Sequence, residues 1–362
     1  MALPVESIEH GDDERVVLDR SRRGFLGPVA SYYVRRIAVF LVTLWGAISA
    51  SFIFFRLIPG DPIQAFVTQM ESQGRYSASE QTQEIADHYR QVFGLDGNIV
   101  EQYFRYVERV LFHFDFGPSL LSYPLPATDL ILRALPWTLG LVGAATLLGW
   151  VVGVFLGTFV GWGRTSPLAK WVTNLSLGIS HIHAYFIALL FVYVFAYWNP
   201  IFPTSGAYDA SLEPGWNAEF ILSTIRHGAL PVMATALVGA MGWLITTRAL
   251  VVTILGEDYL TYATAKGLPK RRILVTYVMR NAWLPQVAAL GITLGNVVGG
   301  NVLIENLFRY PGLGTLLVSA ITTRDINTAQ AVITLLIIFV LTANLIIDLI
   351  LPLVDPRVRR DH

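Results

Sequence analysis

The sequence predicts an all-α polytopic membrane protein with six transmembrane helices, and three observations support this. Apolar residues make up 54% of the 362 positions and charged ones only 14%, more apolar surface than a water-soluble core needs. Six apolar stretches, at 36–58, 136–161, 171–198, 228–252, 284–307 and 328–353, each exceed the roughly 20 residues that carry a helix across a ~30 Å hydrocarbon layer. The runs are continuous, without the two-residue alternation of barrel strands, so they read as helices.

Charge placement sets the orientation. Arg15, Arg20, Arg22, Arg23, Arg35 and Arg36 lead into the first stretch, and Arg164 and Lys170 lie in the connection after the second. Arg248, Lys266, Lys270, Arg271, Arg272 and Arg280 crowd the connection after the fourth, and Arg357, Arg359 and Arg360 close the chain. By contrast, the connection 199–227 holds only Arg226, and 309–327 only Arg309 and Arg324. The stretch 59–135 carries six arginines counting Arg56, but long loops translocate regardless of charge. The positive-inside rule therefore places both termini and the loop at 253–283 in the cytoplasm. Net charge is zero, which offers no basic field for nucleic acid. Cysteine is absent, excluding disulfides, thiolate metal sites and cysteine catalysis. The first 30 residues are polar and lack the apolar core of a cleavable signal, so the first span reads as an uncleaved anchor.

The expected organisation follows in order. Residues 1–33 form a solvated cytoplasmic tail, 34–58 the first transmembrane helix, and 59–135 an extracytoplasmic insert. Residues 136–355 form the main transmembrane domain and 356–362 a cytoplasmic tail. The run Pro59-Gly60-Asp61-Pro62 stops the first helix, and Arg56 one turn inside can reach the headgroups. Within the insert, Ile85, His88, Tyr89, Val92 and Phe93 recur at helical spacing, as do Tyr103, Tyr106, Val107 and Val110. The insert reads equally as a packed lid or as a docking surface. At 309–327, Pro311, Gly312 and Gly314 force a turn before a short apolar helix lying at the outer membrane surface.

Residues 257–285 carry the most information. Glu257 and Asp258 open a short helix at its positive dipole end, Lys266 sits at the negative end, Gly267 stops it, and a second helix opens on Pro269. Ala263, Ala265 and Gly267 are small enough to let another backbone approach closely. An amphipathic loop lying on anionic lipid is the plainer reading of the same residues.

This loop resembles the cytoplasmic coupling loop of ATP-binding-cassette importer permeases of the dipeptide/oligopeptide/nickel family. The resemblance rests on Asp258, Tyr259, Ala263, Ala265, Lys266 and Gly267, then Arg271-Arg272, Arg280-Asn281-Ala282 and Leu284-Pro285. The general importer motif has a glutamate where Thr261 stands and an alanine where Tyr262 stands, so both positions depart from it. Further matches are PGDP at 59–62, Gly94-Leu95-Asp96, Asp115-Phe116-Gly117, Asp129-Leu130-Ile131 and Leu135-Pro136 with Thr138-Leu139. The resemblance implies a permease subunit in a bacterial or archaeal plasma (inner) membrane, surrounded by lipid. Its implied partners are a second, homologous permease, two cytoplasmic ATPases and an extracytoplasmic substrate-binding protein. ATP and Mg would sit on the ATPases, with no cofactor on this chain, and Glu257, Asp258, Ala263, Ala265, Lys266 and Gly267 would couple to them. The implied cargo is peptides, with nickel complexes or oligosaccharides as alternatives.

Two glycine ridges lie inside the spans. Gly149, Gly153, Gly157 and Gly161 recur every four residues in the second stretch, and Gly291, Gly295 and Gly299 in the fifth. The first ridge reads as static helix packing. The second reads as a surface that moves during transport, because its helix leads directly from the coupling loop. Ionisable groups within spans are few. Asn301 and Glu305, four apart, share a face and are candidates for the substrate path, with a polar helix cap as the plainer account. His181 and His183, two apart, would diverge by about 200° on a regular helix and could not share a metal.

No phosphate-binding GxxxxGK[ST] loop, HExxH or GxSxG motif occurs, and no carboxylate pair lies within a span. The chain therefore reads as a non-catalytic transport subunit. The competing class is an ion-coupled secondary transporter or channel working without an ATPase, which would need mid-membrane carboxylates or a polar pore ring.

Overall fold

The computed structural model describes residues 26–58, 63, 81–120, 122–295, 297 and 301–354. The PGDP run, Gly299, most of the expected N-terminal tail and all of the C-terminal one lie outside them. The described chain is helical, apart from turns and an isolated bridge between Pro118 and Pro126. In order come α1 (Leu26–Leu57), α2 (Gln81–Val92), α3 (Ile99–Glu108), α4 (Ala127–Trp162), α5 (Pro167–Ser180), α6 (Ala184–Val192) and α7 (Ala218–Ile254). There follow α8 (Asp258–Ala265), α9 (Arg280–Gly295), α10 (Val302–Leu307), α11 (Leu313–Thr322) and α12 (Ile326–Val354). Among the described residues four helices are long and apolar enough to cross a membrane: α1, α4, α7 and α12.

The expected second and fourth spans begin earlier than their apolar stretches suggested. A start was expected at 136 and 228, yet α4 opens at Ala127 and α7 at Ala218, with Pro136 and Pro231 inside. A proline costs a helix one backbone hydrogen bond and bends it, which long packed helices tolerate. The N-cap supplies the real start of α7, where Asn217 Oδ1 accepts the Phe220 N–H at 2.7 Å.

The expected third span, 171–198, is broken. Pro167–Ser180 and Ala184–Trp198 meet at 96°, and the histidines sit at the break. His181 is the C-cap of α5, with Nδ1 2.7 Å from the Leu177 carbonyl oxygen. His183 is the N-cap of α6, its Nδ1 accepting from the Tyr185 N–H at 3.2 Å. They therefore occupy two helix ends rather than one regular helix. The expected fifth span, 284–307, also differs: α9 ends at Gly295, and α10 is a separate six-residue helix.

The centre of the bundle is a parallel pair, α4 and α7, each about 55 Å long at 1.5 Å per residue. Their contact is the glycine ridge. A Cβ at Gly149 would lie 3.0 Å from Ala236 O, one at Gly157 2.6 Å from Leu244 O, and one at Gly161 2.7 Å from Val251 Cβ. The backbones meet where side chains are missing. Because the two helices run the same way, the chain between them must return from one end of the pair to the other, and α5 and α6 make that return.

An antiparallel pair, α1 and α12, packs alongside. Ser51 Oγ and Thr334 Oγ1 hydrogen-bond at 3.1 Å near one end, and Arg36 pairs with Asp348 at 3.0 Å near the other. The insert helix α3 is tied to the same pair: Tyr106 Oη lies 2.8 Å from Thr334 Oγ1, and Tyr103 Oη 2.7 Å from Ser49 Oγ. Below it Val110 and Phe116 join Leu44, Ile48, Ile131 and Leu335 in one apolar cluster. Burial works against ionisation of Asp115, but the Gly117 N–H and the Arg109 guanidinium hold its carboxyl below the usual range. The insert and α11 thus gather at one end of the bundle. The start of α1, the end of α12 and the loop after α7 gather at the other.

Gly153→Leu is expected to destabilise the protein by about 1–3 kcal/mol or more, since its Cβ would meet Trp243 Cβ at 2.6 Å. Gly143→Leu, with nothing within 4 Å, is the control. Equal thermal unfolding of the two variants in detergent would show that the seam bears no packing load.

Candidate functional site

The loop after α7 folds as the residues anticipate. Helix α8 is followed by a Schellman turn: the Gly267 N–H donates to Thr264 O at 2.9 Å and the Leu268 N–H to Ala263 O at 3.4 Å. Gly267 has φ +71°, in the left-handed region that side chains with a Cβ avoid, and nothing lies within 4 Å of its Cβ direction. Lys266 is the C-cap and Glu257 the N-cap, the latter without a side-chain hydrogen bond. Pro269 caps a short helix, Lys270–Arg272, which continues through a π-helical segment, Ile273–Met279, into α9.

The small residues of α8 divide between two faces. Ala263 and Leu260 are buried against Val251, Ile273, Val278 and Ala282, with Trp162 of α4 and Trp283 of α9 packed around them. Ala263 therefore lets α8 sit close to its own bundle rather than to a partner. Glu257, Asp258, Ala265, Lys266 and Gly267 are exposed, as are Lys270, Arg271 and Arg272. Asn281 Nδ2 donates to Tyr259 Oη at 3.0 Å, a second tie between α8 and the root of α9. A displacement of α8 would be felt by α9 through this cluster.

From that root α9 leans on α4. Trp283 Nε1 donates to Thr158 Oγ1 at 3.1 Å, its ring meets Phe155 edge to face at 4.7 Å, and Trp150 Nε1 donates to Gln286 O at 3.2 Å. The glycines of α9 do not make one seam. Gly295 packs on Ala343 and Ile347 of α12, while Gly291 has nothing within 4 Å. Between α7 and α9 lies an open groove of about 490 Å³, lined by Trp243, Thr246, Thr253, Pro285, Gln286 and Ala289. Gln286 is buried, and its Oε1 has no hydrogen bond among the described residues.

The candidate path residues lie elsewhere. Glu305 is 0% exposed, so it reaches no open surface of the chain. Its Oε2 accepts from the Gly314 N–H at 2.7 Å and from Thr138 Oγ1 at 3.2 Å, while Thr138 Oγ1 accepts from the Leu313 N–H at 2.8 Å. The carboxyl thus sits on the positive end of α11, the helix-cap account of this residue. Gly312 is required there, since a Cβ would lie 2.6 Å from Thr138 Oγ1. Asn301 is the N-cap of α10 without a side-chain hydrogen bond, and its carbonyl accepts from the Glu305 N–H at 2.9 Å.

The description "Binding-protein-dependent transport system inner membrane component" belongs to a family model that matches residues 133–360. The chain belongs to that family. It is 28% identical over 331 residues to the oligopeptide transport system permease protein AppB of Bacillus subtilis (strain 168), covering 91% of this chain and 99% of that one. It is 28% identical over 345 residues to the dipeptide transport system permease protein DppB of Escherichia coli (strain K12), covering 91% and 98%. A glutathione transport system permease protein, GsiC of Shigella boydii serotype 4 (strain Sb227), is 28% identical over 333 residues, covering 91% and 99%. The chain is accordingly a permease, an inner membrane component with a translocation role.

Residues that the permease uses structurally include some the sequence reading passed over. Asp325 is fully buried and caps α12: Oδ1 accepts from the Thr328 N–H at 3.0 Å, and Oδ2 from Thr328 Oγ1 at 2.7 Å and Ser119 Oγ at 2.6 Å. An aspartate immediately before an apolar run is an N-cap signal and could have been found. Thr138 enters only as part of a family match, without a structural role, and Gln286 carries no such signal.

Glu305→Leu is expected to cost about 1–3 kcal/mol, because it strands the Gly314 N–H and removes the partner of Thr138. Glu305→Gln keeps an acceptor oxygen and should lose less. Chemical unfolding in micelles that ranked Gln at or below Leu would contradict this role.

Proposed function

We propose that this permease is half of the translocation pathway of an ATP-driven peptide importer and receives mechanical work through α8. The observation that carries the reading is the placement of α8. Its exposed residues form a small, partly cationic docking face, and its buried residues belong to the cluster that roots α9. In this account ATP closes a pair of cytoplasmic ATPases, α8 moves with them, and α9 tilts. The pathway between two homologous permeases then opens alternately to the two sides. The chain itself catalyses no reaction.

The same reading orients the molecule, with six crossings when α5–α6 and α9–α10 are each counted as one. The end carrying α8, the start of α1 and the end of α12 faces the cytoplasm, in agreement with the cation distribution. The end carrying the insert faces outward, where a substrate-binding protein delivers cargo. Because Glu305 is enclosed, the pathway side of this chain is better assigned to the groove between α7 and α9, where Thr246, Thr253 and Gln286 offer polar groups on an apolar wall. Peptides are the proposed cargo, supported by relatives named for dipeptide, oligopeptide and glutathione transport.

Two experiments test these statements. Ala265→Arg and Gly267→Arg should leave membrane insertion intact and ATP hydrolysis running while uptake falls at least tenfold. The first places its bulk on an exposed helical position and the second adds strain at φ +71°. Normal uptake by both would remove α8 from the mechanism. Binding assays on the cognate substrate-binding protein with peptide, nickel-complex and oligosaccharide panels should retain peptides, and a receptor that ignored them would overturn the cargo assignment.

A further inference from the structure

We infer that the insert end of α1 holds a small-anion site, formed by Arg56 together with the side-chain amides of Gln330 and Asn327. Two adjoining cavities of about 80 and 30 Å³ lie among the end of α1, the insert and the start of α12, and share Arg56, Phe93, Asn327 and Gln330 as walls. The larger has room for several water-sized bodies, where one water needs about 10–15 Å³. Its other described walls, including Phe55, Leu95, Leu120 and Ile326, are apolar, and Arg56 is the one charged side chain among them.

Among the described residues, the Arg56 guanidinium facing this space has no hydrogen-bond acceptor. The Arg56 guanidinium is half-buried and lies 5.2 Å from the Phe52 ring centroid, and it makes no hydrogen bond or ion pair among the described residues. The arginines on the smaller cavity are already neutralised, Arg105 by Asp96 at 2.6 Å and Arg109 by Asp115 at 2.7 Å. Gln330 is 8% exposed and sits beside the Tyr106 hydroxyl, and among the described residues its buried Nε2 makes no well-formed hydrogen bond. Asn327 Nδ2 spends one N–H on Pro118 O at 3.3 Å and keeps a second. A guanidinium is never deprotonated here, so the cheap remedy for an unpaired one is a bound anion. An anion at this spot would bridge α1, α12 and, through Phe93 and Leu95, the insert.

A halide and the phosphodiester of a lipid headgroup share this chemistry, because the cavity lies at the end of a membrane helix. The test is hydrogen–deuterium exchange of α3 and the first turns of α12, in the assembled complex reconstituted in nanodiscs. One arm replaces bulky gluconate by chloride in phosphatidylcholine at constant ionic strength. The other replaces phosphatidylcholine by phosphatidylglycerol in gluconate. Exchange is expected to slow several-fold in at least one arm, and the arm that responds names the source. Arg56→Met and Gln330→Leu should abolish the response, and in gluconate Arg56→Met should exchange no faster than the unsubstituted protein because the stranded charge is gone. Exchange indifferent to both replacements, or a response in Arg56→Met and Gln330→Leu as large as in the unsubstituted protein, overturns the site.

Discussion

The close approach of two parallel backbones, α4 and α7, is the constraint on which the rest of this permease depends. In lipid the hydrophobic effect supplies little force between helices, because hydrocarbon solvates leucine as well as another helix does. What remains is dispersion between closely fitted surfaces, and dispersion falls steeply with a gap of even half an ångström. Gly149, Gly153, Gly157 and Gly161 remove four side chains from one face of α4, so that Ala236, Ala240, Leu244 and Val251 of α7 can enter. Parallel direction then follows from the register, and with it the need for a returning element between the two helices.

Both ends of that seam carry an attachment. At the end where Gly161 meets Val251, the same valine joins the cluster that seats α8 and roots α9. At the opposite end, Thr138 of α4 takes part in the Glu305 network that holds α10 and α11 together. A rigid rod thus spans from the proposed docking face to the insert side. Helix α9 is less confined. It leans on α4 through Trp283 and on α12 through Gly295, but leaves Gly291 and the groove beside α7 open. In the proposed mechanism α9 is the element that moves and the α4–α7 pair the one that stays fixed.

Many polar groups in this protein follow one rule, that a donor or acceptor at a helix end or within the bundle finds a partner inside the chain. Glu305 and Asp325 serve helix N-termini, His181 and His183 serve the ends of α5 and α6, and Arg36 and Asp348 neutralise each other. From sequence, Glu305 is a candidate for the path, and the two histidines read as unable to share a metal. Placed in three dimensions, they are the means by which irregular backbone is tolerated. Exceptions among the described residues include Gln286 Oε1, Gln330 Nε2 and Glu305 Oε1, with atoms of Thr224, Thr247, Arg248 and Thr315, and of these Gln286 and Gln330 stand beside cavities.

The sequence alone determined whatever local spacing and composition control. The apolar stretches are long because a hydrocarbon layer has a thickness. The four-residue glycine period reveals a seam because a helix has 3.6 residues per turn. The stop at Gly267 is readable because few residues adopt a positive φ. Partnership was not readable, since it depends on residues far apart in the chain. Nothing near Gly149 names Ala236 as its neighbour, and nothing near Glu305 names Thr138 or the start of α11. The 96° break between α5 and α6 and the division of α8 into a buried Ala263 and an exposed Ala265 were settled by packing, because a helix turns its faces only once it has something to turn them toward.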